Sequence, residues 1–212
     1  MSEALPKAAA TVVEAARSLG LDLDVREFPE GTRTAQDAAG AIGCAVDQIV
    51  KSLVFIADTN PVVVLTSGGN RVDVVKVGTQ TGSAGVRKAD AEEVRAATGY
   101  AIGGTPPFGH ARDLPVLVDR HLTGFEVVWA AAGTPRHVFP IAPADLVRAT
   151  GGQVAVSPET VLRWHRSGKL PGGRRLRSRP VSRKPVRPSV SLAWRWKSSG
   201  QHSARSSRKP RN

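Results

Sequence analysis

The sequence predicts an α+β domain: a mixed, mostly antiparallel, barrel-like sheet flanked by short helices, followed by a basic tail. Three observations predict it. Short runs of β-branched residues alternate with short segments of helical periodicity, without the long βαβ rhythm of a parallel sheet. Gly, Pro, Asn and Asp punctuate those segments closely enough to make hairpin turns. After Ser157 the apolar periodicity stops and Arg, Ser, Pro and Gly take over.

The elements follow in chain order. Residues 6–19 (PKAAATVVEAARSL) are Ala-rich, with Val12, Val13, Ala16 and Leu19 on one helical face and Gly20 as the stop. Leu21, Leu23, Val25 and Phe28 suggest a strand. Thr34 through Asp37 is a capping start for a second helix carrying Ala38, Ala39 and Ile42. Residues 49–57 and 62–66 read as two apolar strands joined at Asp58-Thr59-Asn60-Pro61. Asn70 is the expected cap of a short helix through Lys76, and Asp90 of another that ends at Gly99. The loop 103–110 (GGTPPFGH) follows. Strands are expected at 115–118, 125–131 and 137–141, with Gly133-Thr134-Pro135 turning between the last two. Pro143 opens a helix through Thr150, Gly151-Gly152 stops it, and QVAV adds a further short strand. The expectation is five or six strands.

Charge divides the 212-residue chain in two. The net charge is +12, yet residues 1–156 hold 14 basic and 17 acidic side chains, while residues 157–212 hold 16 basic ones and a single acid, Glu159. The expected organisation is one domain over 1–157 and a disordered basic tail over 158–212. The mildly acidic first part does not have the composition of a general nucleic-acid binder. Cys44 is the only cysteine, which excludes an internal disulfide framework and fits a reduced, cytoplasmic location. No signal-peptide core is evident, and no apolar run approaches the roughly 20 residues a membrane helix needs.

Several chemistries are missing. There is no nucleophile elbow, no Walker loop and no dinucleotide fingerprint. His110, His121, His137, His165 and His202 do not pair at metal-ligand spacing, so neither a metal nor another cofactor is expected. Two features stand out instead. Lys51 interrupts an otherwise apolar strand, QIVKSLVFI. A buried, unpartnered ammonium is costly, so this lysine either reaches water along its stem or faces a pocket with an anionic ligand. The 103–110 loop joins conformationally free glycines to two stiffening prolines. That makes it either a plain connector or a rigid rim whose backbone groups hold a ligand carbonyl. His110 is a general-base candidate or a structural histidine, and the same pair of readings applies to His137. Phe108 either stacks on a base or ribose or plugs the core. Asp119 is read as a turn cap.

Taken in order, TAQDAAGAIG, QIVKSLVF, GYAIGGTPPFGH, LVDRHL and AAGTPRHVFPI resemble the YbaK/EbsC family, the free-standing form of the editing domain associated with prolyl-tRNA synthetase. The resemblance covers roughly residues 5–156. It implies a compact α+β domain that hydrolyses the ester joining a wrong amino acid to tRNA. By the same resemblance Lys51 is the pocket lysine, with Gly104 and Thr105 as its catalytic companions. Ser52, Gly103, Pro106, Phe108, Gly109, His110, Gly133 and His137 are then substrate-binding residues. The Phe108-Gly109-His110 ending differs from that of cysteine-specific members. An aminoacyl ester is already activated, so positioning a water and stabilising the oxyanion suffice without a protein nucleophile or a metal. Lys51 would neutralise the terminal tRNA phosphate or developing charge, and the loop would fix the carbonyl and ribose.

The implied partners are aminoacyl-tRNA and an aminoacyl-tRNA synthetase. A non-catalytic aminoacyl-tRNA or nucleotide-binding protein of the same fold is the alternative. The tail, with Trp164, Trp194 and Trp196 among its cations, is expected either to bind RNA without sequence preference or to be a solvated or frame-shifted extension.

Overall fold

The structure is a computed structural model that describes residues 4–28 and 34–155. These residues lie in one compact unit. The boundary expected after 157 and the tail beyond it fall outside the described residues.

Five helices and eight strands are present among the described residues: α1 (Lys7–Ser18), β1 (Arg26–Glu27), α2 (Ala35–Ile42), β2 (Val50–Ala57), β3 (Asn60–Ser67), α3 (Val74–Thr81), β4 (Val86–Lys88), α4 (Ala91–Thr98), β5 (Val116–Asp119), β6 (Val128–Ala131), β7 (His137–Ile141), α5 (Pro143–Thr150) and β8 (Gln153–Ala155). The strands form a three-stranded sheet, β1-β7-β6, and a five-stranded sheet, β4-β2-β3-β5-β8. The α+β class and the mixed, mostly antiparallel pairing hold, with β3–β5 and β5–β8 as the parallel pairs. The expected barrel-like closure is not found: both sheets are open. They touch at one parallel bridge, Ile49 to Trp129.

Local chemistry explains most of the elements. β2 and β3 make a hairpin across Asp58-Thr59, where Asp58 takes a positive φ of 55°. That conformation suits an aspartate in a two-residue turn. Pro61, which lacks an N–H, stands opposite Ile56 near the hairpin end. α2 and α4 begin with full capping boxes, Thr34/Asp37 and Asp90/Glu93. At α4 the Arg87 guanidinium grips Glu93 at 2.6 Å, and this ion pair holds the exposed carboxyl down at about 2.

Some expectations need correction. Asp73, not Asn70, caps α3, accepting from the Val75 and Lys76 N–H groups. The strand expected over 21–28 shrinks to Arg26–Glu27, because only these residues pair with β7. The 125–131 strand starts at Val128, where pairing with Ile141 begins. β4 was not anticipated, since three residues with two charges carry no readable periodicity.

The main core joins α1 (Val12, Ala16) to β2 (Val50, Val54, Ile56), β3 (Val63, Leu65), Phe108, Phe139 and Leu146. A second cluster on the other face of the larger sheet packs Phe55, Val62, Val64 and Leu117 against Val77. A third sets α2 on Ile49 and Trp129.

Candidate functional site

β2 and β6 meet at the Ile49–Trp129 bridge and then part. A cavity of about 290 Å³ opens where they separate. Its walls come from α2 (Ala35, Ala38, Ile42), from every residue of Val50–Val54, from Ile102, Gly103 and Thr105, and from Trp129–Ala131. Lys88 and Thr34 add polar groups. The volume is at the lower end of small-molecule sites, enough for the reactive end of a substrate rather than a whole macromolecule. No Asp, Glu, His or Cys lines it among the described residues. Cys44 lies elsewhere, and burial raises its thiol pKa, away from the nucleophilic thiolate. No group of three or more His, Cys, Asp or Glu side chains is placed to hold a metal ion among the described residues.

Successive residues of β2 point to opposite faces. Ser52 shares its face with Val50 and Val54, in the main core, and its Oγ is buried with no hydrogen-bond partner among the described residues. Such an orphan hydroxyl is uncommon and costs about 1–3 kcal/mol. Lys51 stands opposite Thr66 on the other face. Its ammonium is half-buried and donates to the carbonyls of Gly68 (3.0 Å) and Asn70 (2.6 Å), the turn that follows β3. The charge that looked awkward in the sequence is thus solvated by backbone dipoles beside the cavity wall.

That turn is itself held by a buried carboxylate that the sequence reading took for a simple cap. Asp119 does cap the turn at His121, accepting from its N–H at 3.0 Å. It also accepts from Thr66 Oγ1 (3.2 Å), the Ser67 N–H (3.2 Å) and Asn70 Nδ2 (2.7 Å). The signal that could have exposed this role was the polar run Thr66–Asn70 after four apolar residues.

The glycine loop is mostly wedged into the fold. Gly103 takes a positive φ of 87°. A Cβ on Gly104 would lie 2.8 Å from Gly133 O and from Thr134 Cα. Thr105 Oγ1 donates to Ala101 O at 3.2 Å. Pro106 and Pro107 are fully buried, and Phe108 packs in the core with its ring 5.8 Å from that of Phe139. Of the two readings open for Phe108, the structure takes the core plug. His110 Nε2 donates to Pro106 O at 2.8 Å, and burial pushes its imidazole below the ordinary range. His137 is buried and joined to Thr134 Oγ1 through Nδ1 at 2.7 Å.

Of the residues singled out from the sequence, Lys51, Ser52, Gly103 and Thr105 come together at the cavity. Gly104 and Gly133 lie against each other behind it. Pro106, Phe108, Gly109 and His110 belong to the packed part of the loop, His137 is bonded to Thr134 in the 133–135 turn, and none of the five is among the lining residues. The apolar wall from α2, together with Trp129 and Lys88, was not picked out, because apolar and lone charged residues carry no distinguishing motif.

Comparison with known proteins bears on what this cavity does. The aminoacyl-tRNA editing domain model matches residues 29–149. The chain is 33% identical over 123 residues to the uncharacterised protein YwhH of Bacillus subtilis, covering 58% of this chain and 78% of the relative. It is 27% identical over 129 residues to EbsC of Enterococcus faecalis, a candidate Cys-tRNA(Pro)/Cys-tRNA(Cys) deacylase, covering 60% of this chain and 79% of the relative. A crystal structure of a candidate trans-editing enzyme for prolyl-tRNA synthetase superimposes with a TM-score of 0.69 at 46% identity, over 73% of this chain and 98% of the other.

Proposed function

Because the chain belongs to the aminoacyl-tRNA editing domain family, we propose that it is an aminoacyl-tRNA deacylase acting in trans on mischarged tRNA. The observation that carries this reading is the composition of the cavity. It is a largely apolar slot with one buried hydroxyl that has no partner among the described residues and a glycine-bearing rim, and among the described residues no Asp, Glu, His or Cys lines it to act as, or to activate, a nucleophile. An activated ester suits such a site, because the reaction needs water, orientation and a place for negative charge.

In the proposed reaction, water adds to the ester carbonyl carbon and the C=O electron pair moves onto oxygen. Collapse of that intermediate breaks the acyl–oxygen bond. The ribose oxygen leaves as a hydroxyl, taking one proton of the attacking water, and the amino acid leaves as its carboxylate with the other proton released. The neighbouring ribose hydroxyl assists the proton movements. Gly103–Thr105 border the ribose and ester oxygen. Ser52 Oγ meets the substrate beside its acyl group. Lys51 fixes the Gly68–Asn70 turn and adds positive potential near the tRNA phosphate.

The domain is proposed to span residues 1–157. The partners are aminoacyl-tRNA and a synthetase of the prolyl type, in line with the similar trans-editing structure. A cytoplasmic site of action follows from those partners; no helix among the described residues is long and apolar enough to cross a membrane. The test is deacylation of a panel of mischarged tRNAs by the full chain. That no Asp, Glu or His lines the cavity among the described residues favours one competing reading, a binding protein of the same fold, which would show saturable binding without turnover.

A further inference from the structure

The edge of β2 in this cavity has the hydrogen-bonding pattern of a strand awaiting a partner. Along β2, alternate residues turn their N–H and C=O groups toward β3 and away from it. Val54 turns away: its carbonyl accepts from the Ala89 N–H at 3.0 Å, on the β4 side. On β3, the Val63 N–H likewise points away from β2, donating to Pro115 O at 2.9 Å, and Val63 is the residue opposite Val54. Ser52, two residues before Val54, therefore presents its N–H and C=O to the same side as Val54. Among the described residues no strand pairs with it there. β4 pairs only with Phe55–Ala57, and the bridge to β6 is at Ile49. What lies on that side is the cavity, and Ser52 lines it.

We infer that the aminoacyl group of the substrate binds as a one-residue strand on this edge. An aminoacyl ester carries an α-ammonium donor and a carbonyl acceptor on either side of one carbon. These complement the C=O and N–H of a single residue in an antiparallel hydrogen-bonded pair. The ammonium donates to Ser52 C=O, and the ester carbonyl accepts from Ser52 N–H. When water adds to that carbonyl, the electron pair moves onto the oxygen facing the Ser52 N–H, so the contact strengthens as the tetrahedral intermediate forms. Collapse then breaks the acyl–oxygen bond as described above. Side chains directly opposite in a strand pair lie on the same face. The amino acid's side chain is thus placed beside Ser52 Oγ, the buried hydroxyl that has no partner among the described residues. Recognition of the shared aminoacyl backbone falls to the main chain of β2, and discrimination between amino acids falls to the Ser52 face.

This inference rests on the deacylase reading, and its test separates the two. The full-length protein, labelled with ¹⁵N, is titrated with 3′-deoxy-3′-(L-alanylamino)adenosine and its L-seryl counterpart, amide analogues that resist hydrolysis. Cleavage of alanyl-tRNA is compared with cleavage of propionyl-tRNA, which lacks the α-amino group. Each rate is divided by its own rate in buffer. The expected result is a downfield shift and slowed hydrogen exchange of the Ser52 amide, with propionyl-tRNA cleaved about tenfold or more less efficiently. If the tRNA panel shows turnover but the Ser52 amide stays unmoved while Gly103 or Thr105 shifts, the edge-pairing inference is overturned and the deacylase reading stands. Equal normalised rates for the two esters also overturn it. If no tRNA is cleaved and no cavity amide moves, the deacylase reading falls and takes the inference with it.

Discussion

Ser52 and Lys51 are neighbours in the chain whose side chains leave opposite faces of one strand, and the account gives them different tasks. The Ser52 hydroxyl is buried without a partner among the described residues, and the proposed task for it is to meet the substrate. Ser52→Ala should leave stability unchanged or raise it by about 1 kcal/mol in urea unfolding, while lowering deacylation. Loss of stability together with unchanged deacylation would contradict this. Lys51 was legible in the sequence as a charge in need of a partner. What the sequence could not supply was the partner, because two carbonyls of a turn leave no trace in residue identity. His110 illustrates a third case. Burial lowers its imidazole pKa from the ordinary 6.5, so the unfolded chain binds more protons than the folded one below that value. Its stabilising contribution is complete above about 6.5 and lost as pH falls through the folded value. Urea midpoints measured from about pH 7.5 down to about pH 5 should fall more steeply for the parent than for His110→Gln, which keeps a donor for Pro106 O. Identical slopes would remove this role.

At the scale of elements, the Ala-rich character of α1 has a reason that periodicity alone does not reveal. Ala8 and Ala15 share one side of the helix. A Cβ on Gly133 would lie 2.6 Å from Ala8 O, and one on Gly109 would lie 2.8 Å from Ala15 Cβ. Both glycine-bearing loops are therefore seated directly on α1, and small residues on each side permit the approach. The loops then meet each other at Gly104, which packs on Gly133 and Thr134. Gly104→Ala should force that contact apart, costing about 1–3 kcal/mol in stability and lowering deacylation at least about tenfold through misplacement of Gly103 and Thr105. A variant with parental activity would show that the loop does not position substrate. Helix starts were read well where a capping box announces them, as at Thr34 and Asp90. The cap at Asn70 was misread because that asparagine is used by Asp119 across the sheet, a contact 49 residues away in the chain. β4 and β1 were missed or misjudged because two- and three-residue strands exist only through their partners.

At the scale of the molecule, the α+β class and most of the antiparallel pairing were legible because hairpin strands and their turns are local. The parallel pairs β3–β5 and β5–β8 were not, since they join segments that share no turn. Nor was the openness of the sheets. The expectation was a barrel-like sheet, whereas among the described residues β2 and β6 meet only at the bridge at Ile49, which leaves the slot in which the chemistry is proposed to occur. The match to the editing domain ends at residue 149, before the strongly basic segment. Deacylation by residues 1–157 should accordingly match the full chain within about twofold at moderate salt. A weaker salt dependence of tRNA binding on truncation would assign the segment a phosphate-binding role, and an unchanged slope would assign it none.

The central claim is tested most directly by initial rates of hydrolysis of alanyl-, seryl- and cysteinyl-tRNA(Pro) by the full-length protein, beside Lys51→Ala and a buffer control. The account predicts that at least one ester is cleaved well above the buffer rate, and that Lys51→Ala reduces this by about tenfold or more as the Gly68–Asn70 turn loses its ammonium. Cleavage of every ester at the buffer rate, or a Lys51→Ala protein as active as its parent, would contradict it.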